Sequence, residues 1–310
     1  GRRMLLQNRI SRSRMLLPTI VIYAIAVWLV CGLVSDGLWL QFACFAISSF
    51  LMVELNNGNA LIRIYSRMVS CSFIVMVCMS TFLMQSASAM LLSICVVMSF
   101  ILTFITYQDK SSMGHTFYSF LSMGLATLID VNIFFFAPVM WIGMFFYLQS
   151  LTPRTFVASL LGLLCPYWFV SIYFIYTNDL TLAADHFSQL VEFGKVADFP
   201  VVPIGALVAI CFVTILSLTG IIHYLRKRIN DKTRTRMFYN TFILINIVTI
   251  VFFILQPQHY VTLLTIMIVT TSPLIAHFIA LTHTRITNIA FKVIVIVALT
   301  FTIINILKLI

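Results

Sequence analysis

The stretch VVPIGALVAICFVTILSLTGIIHYLRKRINDKTRTR, Val201–Arg236, decides the fold. From Val202 to Leu225 it carries no acid and no Lys or Arg, over the roughly 17–25 residues that a helix needs to cross a bilayer. Arg226, Lys227, Arg228, Lys232, Arg234 and Arg236 follow at once, and short connections rich in such residues are retained in the cytoplasm. One segment therefore gives both a membrane span and its direction.

The same pairing recurs along the chain. Hydrophobic residues make up 61% of the 310, charged residues 9%, and mean hydropathy is +1.06. With 19 bases and 9 acids there is too little charge to coat a soluble domain of this size. Lipid is the expected solvent, and the backbone must satisfy its polar groups within helices. The pattern predicts an all-α, polytopic transmembrane helical bundle of about eleven spans forming one integral membrane domain over residues 1–310. The spans are Met15 to Val34, Leu38 to Val53, Met68 to Leu83, Ala89 to Tyr107, Ser112 to Leu128 and Val131 to Leu148. Phe156 to Tyr176, Val202 to Leu225, Met237 to Leu255, Val261 to Leu281 and Ile289 to Ile310 complete the set.

Charge supports this reading independently. Arg2, Arg3, Arg9, Arg12 and Arg14 precede the first span, and Arg63, Arg67, Lys110, Arg154, Arg285 and Lys292 fall in or beside alternate connections with the Arg226 cluster. Only Lys195 and Lys308 fall on the other side. The fifth span, diluted by Gly114, His115, Tyr118 and Gly124, is needed to keep the alternation. The N-terminus is expected inside and the C-terminus outside. The net charge of +10 is then a consequence of topology and of attraction to anionic lipid heads. Bases scattered through separate loops do not make a nucleic-acid surface. The basic start and its long apolar run read as a retained anchor rather than a cleaved signal.

Four features could carry function. The connection from Thr177 to Pro203 (177–203), expected outside, contains TLAADHFSQLVEFG. Thr181 as cap and Gly194 as stop predict an amphipathic helix over Thr181–Phe193, lying on the membrane surface. Its polar side offers Asp185, His186 and Glu192 as a candidate site, although their spacing is no recognised metal pattern. On the cytoplasmic side, Asn59, Arg63 and Arg67 are spaced by four beside an Asn-Asn-Gly turn. On one helical face they would suit an anionic head group. In the tenth span Thr270-Thr271-Ser272-Pro273 precedes His277, which reads as a candidate helix break of the kind transporters use. Asp130 and Asn132 lie where the fifth and sixth spans meet, and a helix-start role is the expectation for the acid.

No motif fixes a reaction: G-x-S-x-G, H-E-x-x-H and P-loop patterns are missing, so no catalytic residue, metal ligand or cofactor is assigned. The seven cysteines all fall in expected spans, without pair spacing, and read as packing residues. No acid or base falls near the middle of any span, which argues against a carrier with a carboxylate relay.

ELNNGNALIRIYSRMVS (Glu54–Ser70) and LIDVNIFFFAPVMWIGMFFYLQSLTPRTFVASLLGLLCPYWFVSIYF (Leu128–Phe174) resemble a family of uncharacterised polytopic inner-membrane proteins of the Bacteroidota. The shared pattern is an acid-led aromatic span, a base near a turn, and a leucine-glycine span ending in proline and aromatics. The resemblance implies a bacterial inner membrane and carries over no activity and no site residue. Three classes of function follow, with membrane lipids and other envelope proteins as expected partners. A component supporting cell-envelope assembly needs a partner surface, and a transporter needs a polar cavity near mid-membrane, reached by Pro273. A transferase acting on a lipid-linked substrate needs an acid facing a groove that opens to lipid.

Overall fold

The structure is a computed structural model that describes residues 4–308. Within them the chain is helical with no strand, as lipid demands of a chain this apolar. In order the helices are α1 (Leu6–Ser11), α2 (Leu16–Val30), α3 (Trp39–Asn59), α4 (Met68–Met79), α5 (Thr81–Gln85), α6 (Ala87–Ile105) and α7 (Met113–Ile129). Then come α8 (Phe136–Gly143), α9 (Pro153–Thr177), α10 (Leu180–Ser188), α11 (Ile204–Lys227), α12 (Thr233–Leu255), α13 (Tyr260–Leu281) and α14 (Arg285–Ile306). Among the described residues, eight helical segments are long and apolar enough to cross a membrane. The chain is a multi-pass integral membrane protein. The other three expected spans are also helical, but α2, α4 and α7 are shorter, at 15, 12 and 17 residues.

The bundle is organised around α13. Every residue from Leu263 to Leu281 is buried, enclosed by α4, α6, α11 and α12, whereas α9 and α14 leave most of their surface outward. A fully enclosed helix must find partners inside for its polar side chains. Asn246 of α12 supplies them: its amide donates to Thr270 Oγ1 at 2.9 Å and Thr271 Oγ1 at 3.0 Å, and its carbonyl accepts from Ser217 of α11. Three helices are thereby pinned at one depth, a tie worth about 1–2 kcal/mol per interhelical bond at most.

The expected break at Pro273 is corrected: α13 runs through it as one 22-residue helix. Proline removes one donor and crowds the carbonyl four residues back, but tight packing on all sides holds the helix together. Thr270 and Ser272 donate to Ile266 O and Ile268 O, within the helix, and Tyr239 reaches Pro273 O at 3.4 Å.

Small residues set the closest helix contacts. A Cβ on Gly162 of α9 would lie 2.4 Å from Phe117 O, and one on Gly124 of α7 would lie 2.8 Å from Leu163 O. Gly124, which dilutes the fifth span as read from sequence, is what lets α7 meet α9. Gly220 of α11 does the same against α13, where an added Cβ would meet the Leu274 carbonyl carbon at 2.7 Å.

Two sets of connections gather at opposite ends. Arg63 meets Asp231, Tyr239 meets Leu61 O, Arg234 lies over Tyr107, and Thr152 meets Lys110 O, which collects the basic connections on one face. The N-terminal segment joins this end of α13, because Gln7 donates to Ile279 O and Thr282 Oγ1, both at 2.6 Å. At the other end, Asp130 meets Thr262 and Gly194 meets Gln256.

Gly220→Val should lower thermal stability in detergent by about 1–3 kcal/mol, as overpacking does. Gly114→Ala, at a helical position with nothing within 4 Å of the new Cβ, should be neutral or stabilising by up to about 1 kcal/mol. Equal melting temperatures for Gly220→Val and the parent would contradict the α11–α13 packing.

Candidate functional site

At the basic face, α11 and α12 are joined only by residues 228–232. Arg228–Asn230 is a single 3-10 turn, closed by Asp231 N donating to Arg228 O at 3.0 Å, and the turn sends the Asp231 side chain inward. That side chain is 1% exposed. Its Oδ1 accepts from Arg63 Nη1 at 3.1 Å, and its Oδ2 pairs with His277 Nε2 at 2.7 Å. His277 Nδ1 meets His223 Nε2 of α11 at 3.0 Å. Tyr239 covers the His277 ring edge-on at 5.0 Å, and Tyr224 stacks on Tyr239 at 4.9 Å. Burial alone would raise the Asp231 carboxyl. The hydrogen bond and charge of His277, with the Arg63 guanidinium, outweigh it and hold the carboxyl below its ordinary value.

Both oxygens of Asp231 and both ring nitrogens of His277 are thus taken, and neither side chain reaches the surface. The chain Arg63–Asp231–His277–His223 ties two connections and two helices together. It acts as a lock, with the Asp231 and His277 side chains closed to solvent and only Arg63 partly exposed.

The opposite face has room. Two cavities, of about 410 and 210 Å³, share Asp130, Asn132, His259 and Thr262 in their walls. Asp130 stands at the start of the 3-10 turn Val131–Phe135, where it accepts from Asn132 N at 3.0 Å and from its side-chain amide at 2.9 Å, so the expected helix-start role holds. Its second oxygen accepts from Thr262 of α13 at 2.5 Å. The His259 ring lies 3.5 Å from Asn132 Nδ2. The larger cavity is walled by Phe135, Phe136, Phe193 and Phe252, while Ser88 and Gln189 border the smaller. Phe135, Phe193 and Leu255 are exposed, so the rim is apolar and faces outward. A mostly apolar cavity with a few convergent polar groups is the usual form of a small-molecule site.

Residues 189–196 roof this cavity, and their course corrects the expected surface helix over Thr181–Phe193. α10 ends at Ser188, because Gln256 takes the backbone of Gly194 at both its N–H (2.8 Å) and its carbonyl (3.2 Å). Ala197 N also donates to Ile254 O at 3.1 Å, so the strand of chain is strapped to the end of α12 instead of continuing as helix. Thr181 does not cap; its hydroxyl donates to Asp179. Phe187 turns toward the bundle, 5.1 Å from the Tyr167 ring.

The candidate triple Asp185, His186 and Glu192 is not brought together. His186 Nε2 lies 3.0 Å from Tyr167 OH, which donates to Thr127, whereas Asp185 and Glu192 are exposed. Among the described residues no group of three His, Cys, Asp or Glu side chains could hold a metal ion.

Asn59, Arg63 and Arg67 do not share a helical face either. Ala60 adopts the left-handed conformation (φ 48°, ψ 50°) and ends α3, and residues 60–67 are irregular up to the start of α4. Asn56 Nδ2 closes this segment on Ser66 O at 3.1 Å. Asn59 then bonds Leu55 O, Arg67 bonds Asn57 Oδ1, and Arg63 swings to Asp231. Arg63 and His277, from separate sequence features, meet on an acid that neither feature contains. Asp231 had a signal of its own, as the one acid among the bases of Arg226–Arg236. His259 and Thr262 had none, since only the folded bundle brings them to Asp130.

No family model, no curated protein and no solved structure matches the chain.

Because the folded Asp231 carboxyl titrates below the unfolded value of about 3.9, its ion pairs stabilise the fold above about pH 4. That contribution is lost as falling pH protonates the folded carboxyl. Asp231→Asn should therefore cost about 1–2 kcal/mol at pH 7, where charge-assisted bonds are replaced by neutral ones. Melting curves of parent and variant should converge in acid; a gap unchanged down to the lowest pH at which the parent folds would contradict the ion pairing.

Proposed function

We propose that this chain works at the face opposite its basic connections, as a transferase acting on a lipid-linked substrate in support of cell-envelope assembly. The observation that carries the reading is Asp130, an acid held by Asn132 and Thr262 on the wall of a phenylalanine-lined cavity whose rim opens outward. That is the arrangement a transferase on a membrane-borne substrate requires. The transporter reading has less support, because Pro273 and its neighbours on α13 are packed on every side.

The chemistry of the cavity narrows the substrate. A carboxylate acceptor amid aromatic walls favours a head group that donates hydrogen bonds, a hydroxyl or an ammonium, over a bare phosphate. An apolar tail would lie along Phe135, Phe193 and Leu255 at the rim. In the transfer step Asp130 would take the proton of the acceptor hydroxyl as that oxygen attacks the group being transferred. The donor's leaving group departs with its bonding pair. His259, on the same wall, is in place to hold a head-group oxygen.

The alternation of bases supports an N-terminus inside and a C-terminus outside, over about eleven passes. With the resemblance to Bacteroidota inner-membrane proteins, this supports a bacterial inner membrane with the cavity on its outer side.

A photo-crosslinking alkyl glucoside tests the site in nanodiscs, since it offers hydroxyl donors on an apolar tail. Label should concentrate on 131–136 and 252–263, and Asp130→Asn should cut it at least about tenfold, the loss expected for a hydrogen bond to a charged group. Equal labelling of the variant, or label spread evenly over outward-facing helices, would contradict the proposal.

A further inference from the structure

A second large cavity, of about 460 Å³, lies nearer the basic face and shares no lining residue with the first pair. Its walls are almost wholly apolar and come from α2, α4, α11, α13 and α14. Met68 and Met79, the first and last residues of α4, both line it. At 1.5 Å of rise per residue it therefore extends roughly 16 Å along that helix. The hydrocarbon depth of one leaflet is about 15 Å. Val295 and Leu299 of α14 are exposed along its side, so the cavity faces the lipid phase laterally.

Its basic-face end is bordered by Ile10 of α1 and by Ser13 and Met15 of the turn between α1 and α2. The exposed Arg12 and Arg14 flank Ser13, and neither has an acidic partner among the described residues. The turn is fixed in place. Gln7 and Asn8 are buried, Gln7 donates to Ile279 O and Thr282, and Asn8 pairs with His283 at 3.0 Å. Two arginines without an acidic partner among the described residues are thus anchored in the turn that borders an apolar slot one leaflet deep.

We infer that this slot seats an anionic phospholipid, with an acyl chain along α4 and its phosphate at Arg12 and Arg14. The apolar walls take the chain and planar guanidiniums take phosphate oxygens in pairs. A zwitterionic lipid would fill the slot equally well but gain less at its mouth. The inference does not rest on the outer cavity, whose residues play no part in it.

Native mass spectrometry of the full chain, released from vesicles of phosphatidylglycerol, phosphatidylethanolamine and phosphatidylcholine in equal parts, reads the lipid retained. Phosphatidylglycerol should be enriched. Arg12→Gln with Arg14→Gln should reduce that enrichment by about fivefold per charge removed. These exposed positions leave the core intact, so the melting temperature should hold. Ala298→Trp, which fills the slot, should reduce retention of all three lipids. Equal retention of the three by the parent, or enrichment that survives the double arginine variant, would overturn the inference.

Discussion

The rest of the structure depends on the burial of α13 from Leu263 to Leu281. In lipid the hydrophobic effect does not drive helix against helix, so a helix removed from lipid on every side must be held by packing and by polar ties. α13 has both. Gly220 lets α11 approach its backbone, and polar partners meet it at three depths: Asp231 and His223 on His277, Asn246 on Thr270 and Thr271, and Asp130 on Thr262. Each tie also satisfies a side chain whose burial without a partner would be costly.

The ties differ in what they leave over. At the basic face the carboxylate is enclosed between a guanidinium and an imidazole, and its burial is offset by those partners. In the middle, Asn246 uses both donors and its acceptor on hydroxyls. At the opposite face Asp130 is oriented but only half-buried, and two cavities meet beside it. Structure is locked at one end and open at the other. That asymmetry concentrates chemistry at the open end, and it follows from loop length: five residues join α11 to α12, 228–232, whereas 189–196 is long enough to form a roof.

Much of this fold was legible in the sequence, because long apolar runs bounded by bases leave few alternatives in lipid. The apolar run predicts a span over Val261 to Leu281 and α13 is Tyr260–Leu281; the sequence places Asp130 at a helix start and it caps a 3-10 turn. The site was much less legible. Four-residue spacing places Asn59, Arg63 and Arg67 on one face only if the chain stays helical, and Ala60 turns left-handed instead. Helical periodicity likewise carried α10 too far, since the bonds that end it come from Gln256, far along the chain. His277 stands out in the sequence only beside Pro273, whereas its partner is an acid in the connection between α11 and α12. Tertiary polar contacts of this kind have no local signature.

Photolabelling with a small carbene-generating reagent dissolved in the bilayer tests the enclosure of α13 most directly. Label should fall on α9, where Trp168, Phe169 and Tyr173 face outward, and on α14, leaving 263–281 essentially unlabelled apart from Ile275 and Ile279 on the wall of the apolar slot. Labelling of 263–281 at the level of α9 would contradict a bundle built around that helix.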